Sequence, residues 1–260
     1  MMKEQNILNN IAGEMKKLPG HVGFYYKNLV SGEEFGVGAD ESYLAASVIK
    51  LPLYLHILQQ AAEGKLDMTQ QLTVTGEDKV PICGALTLFS GDVTADIRSL
   101  CHLMISISDN TATNKLIDFC GVEELKNSFR AMGLEKTVLN RKMFDFEKAK
   151  LGLQNYICPK EIAVLLEQLY RNEFVNEAVC KEALNILLQQ QVDHKLNGKL
   201  CNAVPVAHKT GEDDNLSNDV GIVFAEEPFI VCFAGHGTDV YRWEDLMRRA
   251  TYDLYAVQQK

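Results

Sequence analysis

The spacing of apolar residues along the chain constrains its fold more than any other feature. Strand patterns stand only near the two ends, and between residue 65 and about residue 200 helical spacing takes over. Before that block, residues 4–17 place Ile7, Leu8, Ile11 and Met15 on one helical face, closed by Pro19-Gly20. Residues 21–30 are aromatic and β-branched, Ser31-Gly32 is a turn and residues 34–38 return, which predicts a hairpin. Residues 45–62 read as a buried helix, with Pro52 in its early turns, where proline is tolerated, and Gly64 as its stop. After the block, residues 204–209, 216–225 and 228–235 alternate or run apolar, and residues 241–258 form an amphipathic helix on Leu246, Met247, Ala250 and Leu254.

No strand–helix–strand crossover pattern appears, so the sheet is expected to be antiparallel with helices against it. The expected class is α+β: an antiparallel sheet flanked by helices plus an all-helical second domain. The sheet domain is discontinuous, residues 1–62 and 203–260, because the two strand-bearing ends must meet. The helical domain is residues 63–202, with helices predicted over 94–106, 112–120, 122–132, 159–171 and 175–190. Thr94 reads as the cap of the first of these. Residues 139–158 read as structureless, and a loop that long inside a compact domain points to function.

Composition narrows the function classes. A chain of 260 residues buries enough surface to fold without disulfide or metal. With 47% apolar and 23% charged residues it is neither disordered nor fibrous. A net charge of -9 argues against a nucleic-acid or anionic-membrane partner. No apolar run approaches the roughly 20 residues of a spanning helix. Residues 1–10 carry no signal-peptide pattern, so the expectation is a cytoplasmic protein, or a secreted one if a leader has been removed. The seven cysteines (Cys83, Cys101, Cys120, Cys158, Cys180, Cys201 and Cys232) form no CxxC pair and read as buried, reduced thiols, Cys158 the most exposed. Neither they nor the six histidines have metal-ligand spacing, so no metal is expected.

Three short motifs carry chemistry. Ser47-Val48-Ile49-Lys50 is an S-x-x-K at the start of the buried helix, Ser108-Asp109-Asn110 an S-D-N between two helices, and Lys209-Thr210-Gly211 a K-T-G on the first late strand. Ser47 and Lys50, three apart, share a helical face. A serine hydroxyl needs a base within hydrogen-bond reach, and a lysine serves only when neutral. Burial and a second cation, here Lys209, push its pKa down. The backbone N–H groups of Ser47 and Glu212 are candidate oxyanion donors. Ser108 can relay a proton to a leaving nitrogen, and Asn110 can bond a substrate amide. Lys209 and Thr210 can receive a carboxylate, and Gly211 lets a substrate backbone lie along the strand. Asp109 reads as the cap of the helix that follows. Each motif alone is weak; all three in this order, on helix start, helix junction and strand, are specific.

With these motifs, the segments HVGFYYKNLVSGEEFGVGADESYLAASVIK, SDNTATNKLI and KTGEDDNLSNDVGIVF make the chain resemble the serine β-lactamase and penicillin-binding superfamily, closest to class A, over nearly its whole length. The resemblance implies a two-domain fold and an acyl-enzyme on Ser47, with Lys50 as general base, Ser108 as proton shuttle and Lys209 with Thr210 as carboxylate site. It implies small-molecule substrates, β-lactams or D-alanyl peptides, and no cofactor. The chain departs from class A in two places. The loop glutamate that activates the deacylating water should fall within residues 142–144, where none is acidic; the nearest carboxylates, Asp145 and Glu147, read as ion pairs with Arg141 or Lys142. Ser217 stands where many class A enzymes have an arginine for the substrate carboxylate. Three readings stay open: a β-lactamase with slow deacylation, a related peptidase or esterase, and a sensor that stays acylated.

Among the remaining candidates, His208 should face away from Lys209 and pack. His56 and His102 read as core, and His236-Gly237 as a turn. The Lys16-Lys17 and Arg248-Arg249 pairs read as solvated faces.

Overall fold

The structure, a computed structural model, describes residues 2–259. Its centre is a five-stranded antiparallel sheet in the order β2-β1-β9-β8-β7. The strands are β1 (His21–Asn28), β2 (Glu34–Val37), β7 (Val206–Asp213), β8 (Leu216–Val223) and β9 (Phe229–His236). The first hairpin and the late meander join where β1 pairs with β9, from His21 opposite His236 to Asn28 opposite Phe229. The two chain ends therefore build one sheet, and K-T-G lies on its edge strand, β7.

Helices cover both faces. On one, α1 (Met2–Met15) and α9 (Val240–Gln258) pack together. Leu8, Ile11, Met15, Trp243, Leu246 and Leu254 meet Phe24, Tyr26, Val231 and Phe233 of the sheet in a closed apolar cluster. On the other face, a larger cluster runs without a break from β1, β8 and β9 through α2 (Lys50–Ala62) into α3 (Ile97–Ser106), α4 (Asn110–Cys120), α5 (Val122–Ala131), α7 (Pro159–Tyr170) and α8 (Glu177–Leu187). Each fully buried aliphatic or aromatic side chain in it contributes roughly 1.5–3 kcal/mol.

The helical block also holds strands that its periodicity did not reveal. β4 (Gln71–Val74) and β5 (Val93–Asp96) form a two-stranded sheet, and β3 (Tyr43–Leu44) pairs with β6 (Tyr156–Ile157). Thr94, expected to cap a helix, lies inside β5; the cap of α3 is Asp96, whose carboxylate accepts from Ser99 N. An ionised cap two residues nearer the apolar run satisfies the first turn better than a threonine already committed to a strand. Residues 139–158, expected to lack structure, contain the short helix α6 (Phe146–Lys150) and β6.

Cysteine exposure is corrected as well. Cys158 is buried, with its thiol on Ala39 O, whereas Cys83 and Cys201 are exposed and Cys120 is partly so. The other three bury as expected. No helix among the described residues is long and apolar enough to cross a membrane.

Candidate active site

The three motifs meet where the sheet edge faces the helical block. Ser47 sits in a 3-10 turn, Ala46–Ile49, and α2 continues from Lys50. The turn begins with Ala46 at φ 41, a left-handed conformation that costs an alanine about 1 kcal/mol or more. Two anchors hold it: Ala45 N donates to Asn155 O, and Asn218 Nδ2 from β8 donates to Leu44 O and Ala45 O. Ser47 is 8% exposed, between a partly exposed Ala46 and the fully buried Val48 and Ile49.

Ser108 also lies at positive φ, 57, in the sharp entry to α4. Asp109 caps that helix through Ala112 N, as the S-D-N pattern predicts. Its other oxygen accepts from Ala85 N and Leu86 N, so the same carboxylate fastens the loop that borders the site. Gly84 is required there, since a Cβ would collide with the Asp109 carboxylate.

Lys50 is completely buried and fully engaged. Its Nζ lies 2.7 Å from Ser108 O, 2.7 Å from Asn110 Oδ1 and 3.0 Å from Ser108 Oγ. Lys209, also buried, reaches the same hydroxyl at 3.2 Å, with its own strand's Thr210 O at 2.9 Å. The Ser108 hydroxyl therefore bridges two amines. Burial, and then the Lys209 charge, lower the Lys50 pKa well below the usual lysine value. Burial, and then Lys195, bring Lys209 down to about 7. A neutral Lys50 donates two N–H bonds, to Ser108 O and Asn110 Oδ1, and leaves its lone pair facing the Ser108 hydroxyl.

The other predicted residues fall around this relay. Asn110 gives its carbonyl oxygen to Lys50 and one amide hydrogen to Ile82 O, which leaves one amide hydrogen for a ligand. Thr210 is buried on β7. Gly211 lies against the Ser47 turn, where an added Cβ would stand 3.0 Å from Ser47 N and from Ala45 O. The strand edge and the Ser47 backbone are thus in direct contact, with Glu212 next along. His208 packs as expected, 2% exposed, its Nδ1 2.9 Å from Asp219 Oδ1. His56 is buried against Ser128, and His102 is half-buried.

Two loop readings change. Lys142 pairs with Asp118 of α4, not with a loop acid, and Arg141 bonds Gln154. Asp145 caps α6 and pairs with Lys148, and Glu147 pairs with Lys150, because a helical turn places i and i+3 side by side. The loop residue tied to the site wall is Met143, held at both backbone groups by the Asn114 side chain at 2.7 and 2.9 Å.

Sequence reasoning missed Lys195. It comes from the irregular segment between α8 and β7, is wholly buried, and places its Nζ 2.9 Å from Glu212, 3.1 Å from Asn218 O and 3.5 Å from Gly211 O. It supplies a cation beside β7 where Ser217 does not; the Ser217 hydroxyl donates to Glu244. Burial raises the Glu244 pKa, but His194 and Ser217 outweigh it and hold the carboxyl down at about 2.

Known proteins resemble this chain in sequence and fold. The sequence profile of the beta-lactamase enzyme family matches residues 4–258. Beta-lactamase ROB-1 of Haemophilus influenzae is 25% identical, over 82% of this chain and 70% of its own length. The beta-lactamase regulatory protein BlaB of Streptomyces cacaoi is 26% identical over 55% of the chain, which spans only 46% of that protein. Among solved structures, PBP-A superposes with a TM-score of 0.87 at 27% identity, covering 97% of this chain and 95% of its own. The ancestral class A β-lactamase GNCA gives the same TM-score at 21% identity, covering 96% and 99%, a likeness of fold. The chain belongs to the beta-lactamase enzyme family and is a hydrolase of the serine β-lactamase and penicillin-binding superfamily.

Proposed function

We propose that the protein opens β-lactam rings by acyl transfer to Ser47 and releases the acyl group slowly. The observation that carries this reading is the buried amine–hydroxyl–amine bridge Lys50–Ser108–Lys209, whose first member opens the helix that continues from the Ser47 turn. The Ser47 proton passes through the Ser108 hydroxyl, which the Lys50 lone pair faces, to neutral Lys50, and the Ser47 Oγ adds to the lactam carbonyl. The oxyanion is received by the Ser47 and Glu212 N–H groups. The C–N bond breaks as the proton passes from Lys50 through Ser108 to the ring nitrogen. One new C–O bond replaces one C–N bond, and the proton lost by Ser47 ends on the leaving amine. Asn110 holds the ligand amide, and Lys209 with Thr210 holds its anionic end. D-alanyl peptides present a comparable amide and carboxylate and fit the same description.

Slow release follows from the loop. At residue 143, the position Asn114 fixes against α4, stands a methionine packed on the core, and Asp145 and Glu147 are spent on α6. Water meeting the ester therefore lacks a carboxylate base from this loop. A solved acyl-enzyme complex of a PBP-A variant with penicillin G fits the same reading. The test is an intact-mass time course after exposure to penicillin G. The expected result is a one-to-one adduct that persists for minutes or longer and is absent in Ser47→Ala. An adduct retained by Ser47→Ala, or none on the native protein, overturns the proposal.

A further inference from the structure

The far end of the K-T-G strand is acidic: Glu212, Asp213 and Asp214 follow Gly211 directly. Beneath them lies Lys195, 0% exposed. Its two carbonyl neighbours, Gly211 O and Asn218 O, are neutral, and Glu212 is the carboxylate paired with it among the described residues. An ammonium out of water needs a counter-ion, and losing it would cost several kcal/mol. Glu212 is half-exposed, so it reaches Lys195 from the rim, the side from which a ligand lying along β7 brings its own anionic end. Gly211 touches the Ser47 turn, so Lys195, against the Gly211 carbonyl, stands just behind the reacting centre.

His194 and Glu244 complete a group that has the donor types of a metal site. Yet the Glu212 oxygen that faces His194 at 3.5 Å is the one held by Lys195 at 2.9 Å, and the Glu244 oxygen that faces His194 also faces Arg248. These carboxylates already have cations, and a metal would have to displace them.

We propose, building on the acyl-transfer reading, that Glu212 is an internal carboxylate occupying the cationic end of the pocket, so that the preferred acyl donors are uncharged there, carrying an amide or ester in place of a free carboxylate. A ligand carboxylate must either displace Glu212 from Lys195 or sit beside a like charge, and such juxtaposition discriminates between ligands. Lys209 does not restore the balance above pH 7, because it loses its proton near that value.

Penicillin G and its methyl ester share ring and side chain and differ at that carboxyl, which the ester leaves uncharged with one added methyl. Their rates of Ser47 acylation, read by intact mass at pH 8, are compared in the native protein, Glu212→Gln and Glu212→Ser. The native protein is expected to react with the ester at least as fast as with the acid. In both variants the ratio of the acid rate to the ester rate should rise about tenfold over the native ratio. Adding Lys195→Met to Glu212→Gln should erase the gain, since the cation is then gone. An acid-to-ester ratio that does not rise in either variant overturns this inference and leaves the acyl-transfer reading standing. No adduct with either ligand on the native protein overturns both.

Discussion

Two lysine side chains have been placed where water cannot solvate an ammonium, and that choice is readable as a pH effect. An unfolded lysine keeps its proton to about 10.5, whereas Lys209 in the fold loses it near 7, driven by burial and then by Lys195. Between those values the native state binds fewer protons than the unfolded chain, so stability rises with pH. Below about 7 the native ammonium is charged in a dry site and the gain is absent. Cys101 and Cys232, whose thiols burial holds protonated beyond the usual 9.0, reverse the trend at higher pH. Urea unfolding midpoints should therefore climb from pH 7 to pH 9, and Lys209→Met should remove its share of the climb, up to about 1.4 kcal/mol per pH unit. An equal climb in the variant would refute the assignment. The residues of the relay are legible in the sequence because each lies in a contiguous motif whose spacing fixes its neighbours. Lys195 is not, because its burial and its partner arise from an irregular segment folding under β7, and nothing around it in the chain announces that.

At the scale of elements, the sheet is interrupted where the site needs it. The β8–β9 register pairs Leu216 with His236 and resumes at Asp219 with Phe233. In the gap, side chains replace ladder bonds. Asn218 Oδ1 accepts from Gly235 N, its amide donates to Leu44 O and Ala45 O, and Trp243 Nε1 donates to Ser217 O. Asn218 thereby ties the middle of the sheet to the strained Ala46–Ser47 turn. Asn218→Ala orphans buried groups on both sides, at roughly 1–3 kcal/mol for each one left unpaired. It should lower stability by about 3 kcal/mol in thermal unfolding and slow acylation of Ser47. A variant of native stability and native acylation rate would show that the asparagine carries no such tie. The strands themselves were legible from apolar runs, and the helices from their period. The β4–β5 pair escaped because Gln71 to Val74 is short and half polar, and the true cap of α3 escaped because an aspartate two residues past Thr94 outcompetes it.

For the whole molecule, we propose that the division into residues 1–62 with 203–260 and residues 63–202 is one of topology and not of independent stability. The larger apolar cluster passes continuously from Tyr25, Ala207 and Val220 of the sheet through α2 to Leu116 and Phe129 of the helical block, alongside the polar site. Within the block, α7 packs on β1, β8 and β9, and α8 on β7. The covalent route points the same way, since the block is inserted between the two halves of a sheet whose register depends on both. Cutting such a core in two would expose apolar surface on each side at roughly 25 cal/mol per Å², so neither part should persist when the other unfolds. The chain contains a single tryptophan, Trp243, buried among Phe233 and the α1–α9 cluster, which reports the terminal half by fluorescence. Far-ultraviolet circular dichroism is weighted toward the helical block. Followed together in urea, the two signals should share one midpoint and one slope. A fluorescence transition separated from the helical one would mean that the block stands by itself, and that the site, which draws Ser108 and Asn110 from the block and Lys209 from the sheet, can be dismantled before either part unfolds.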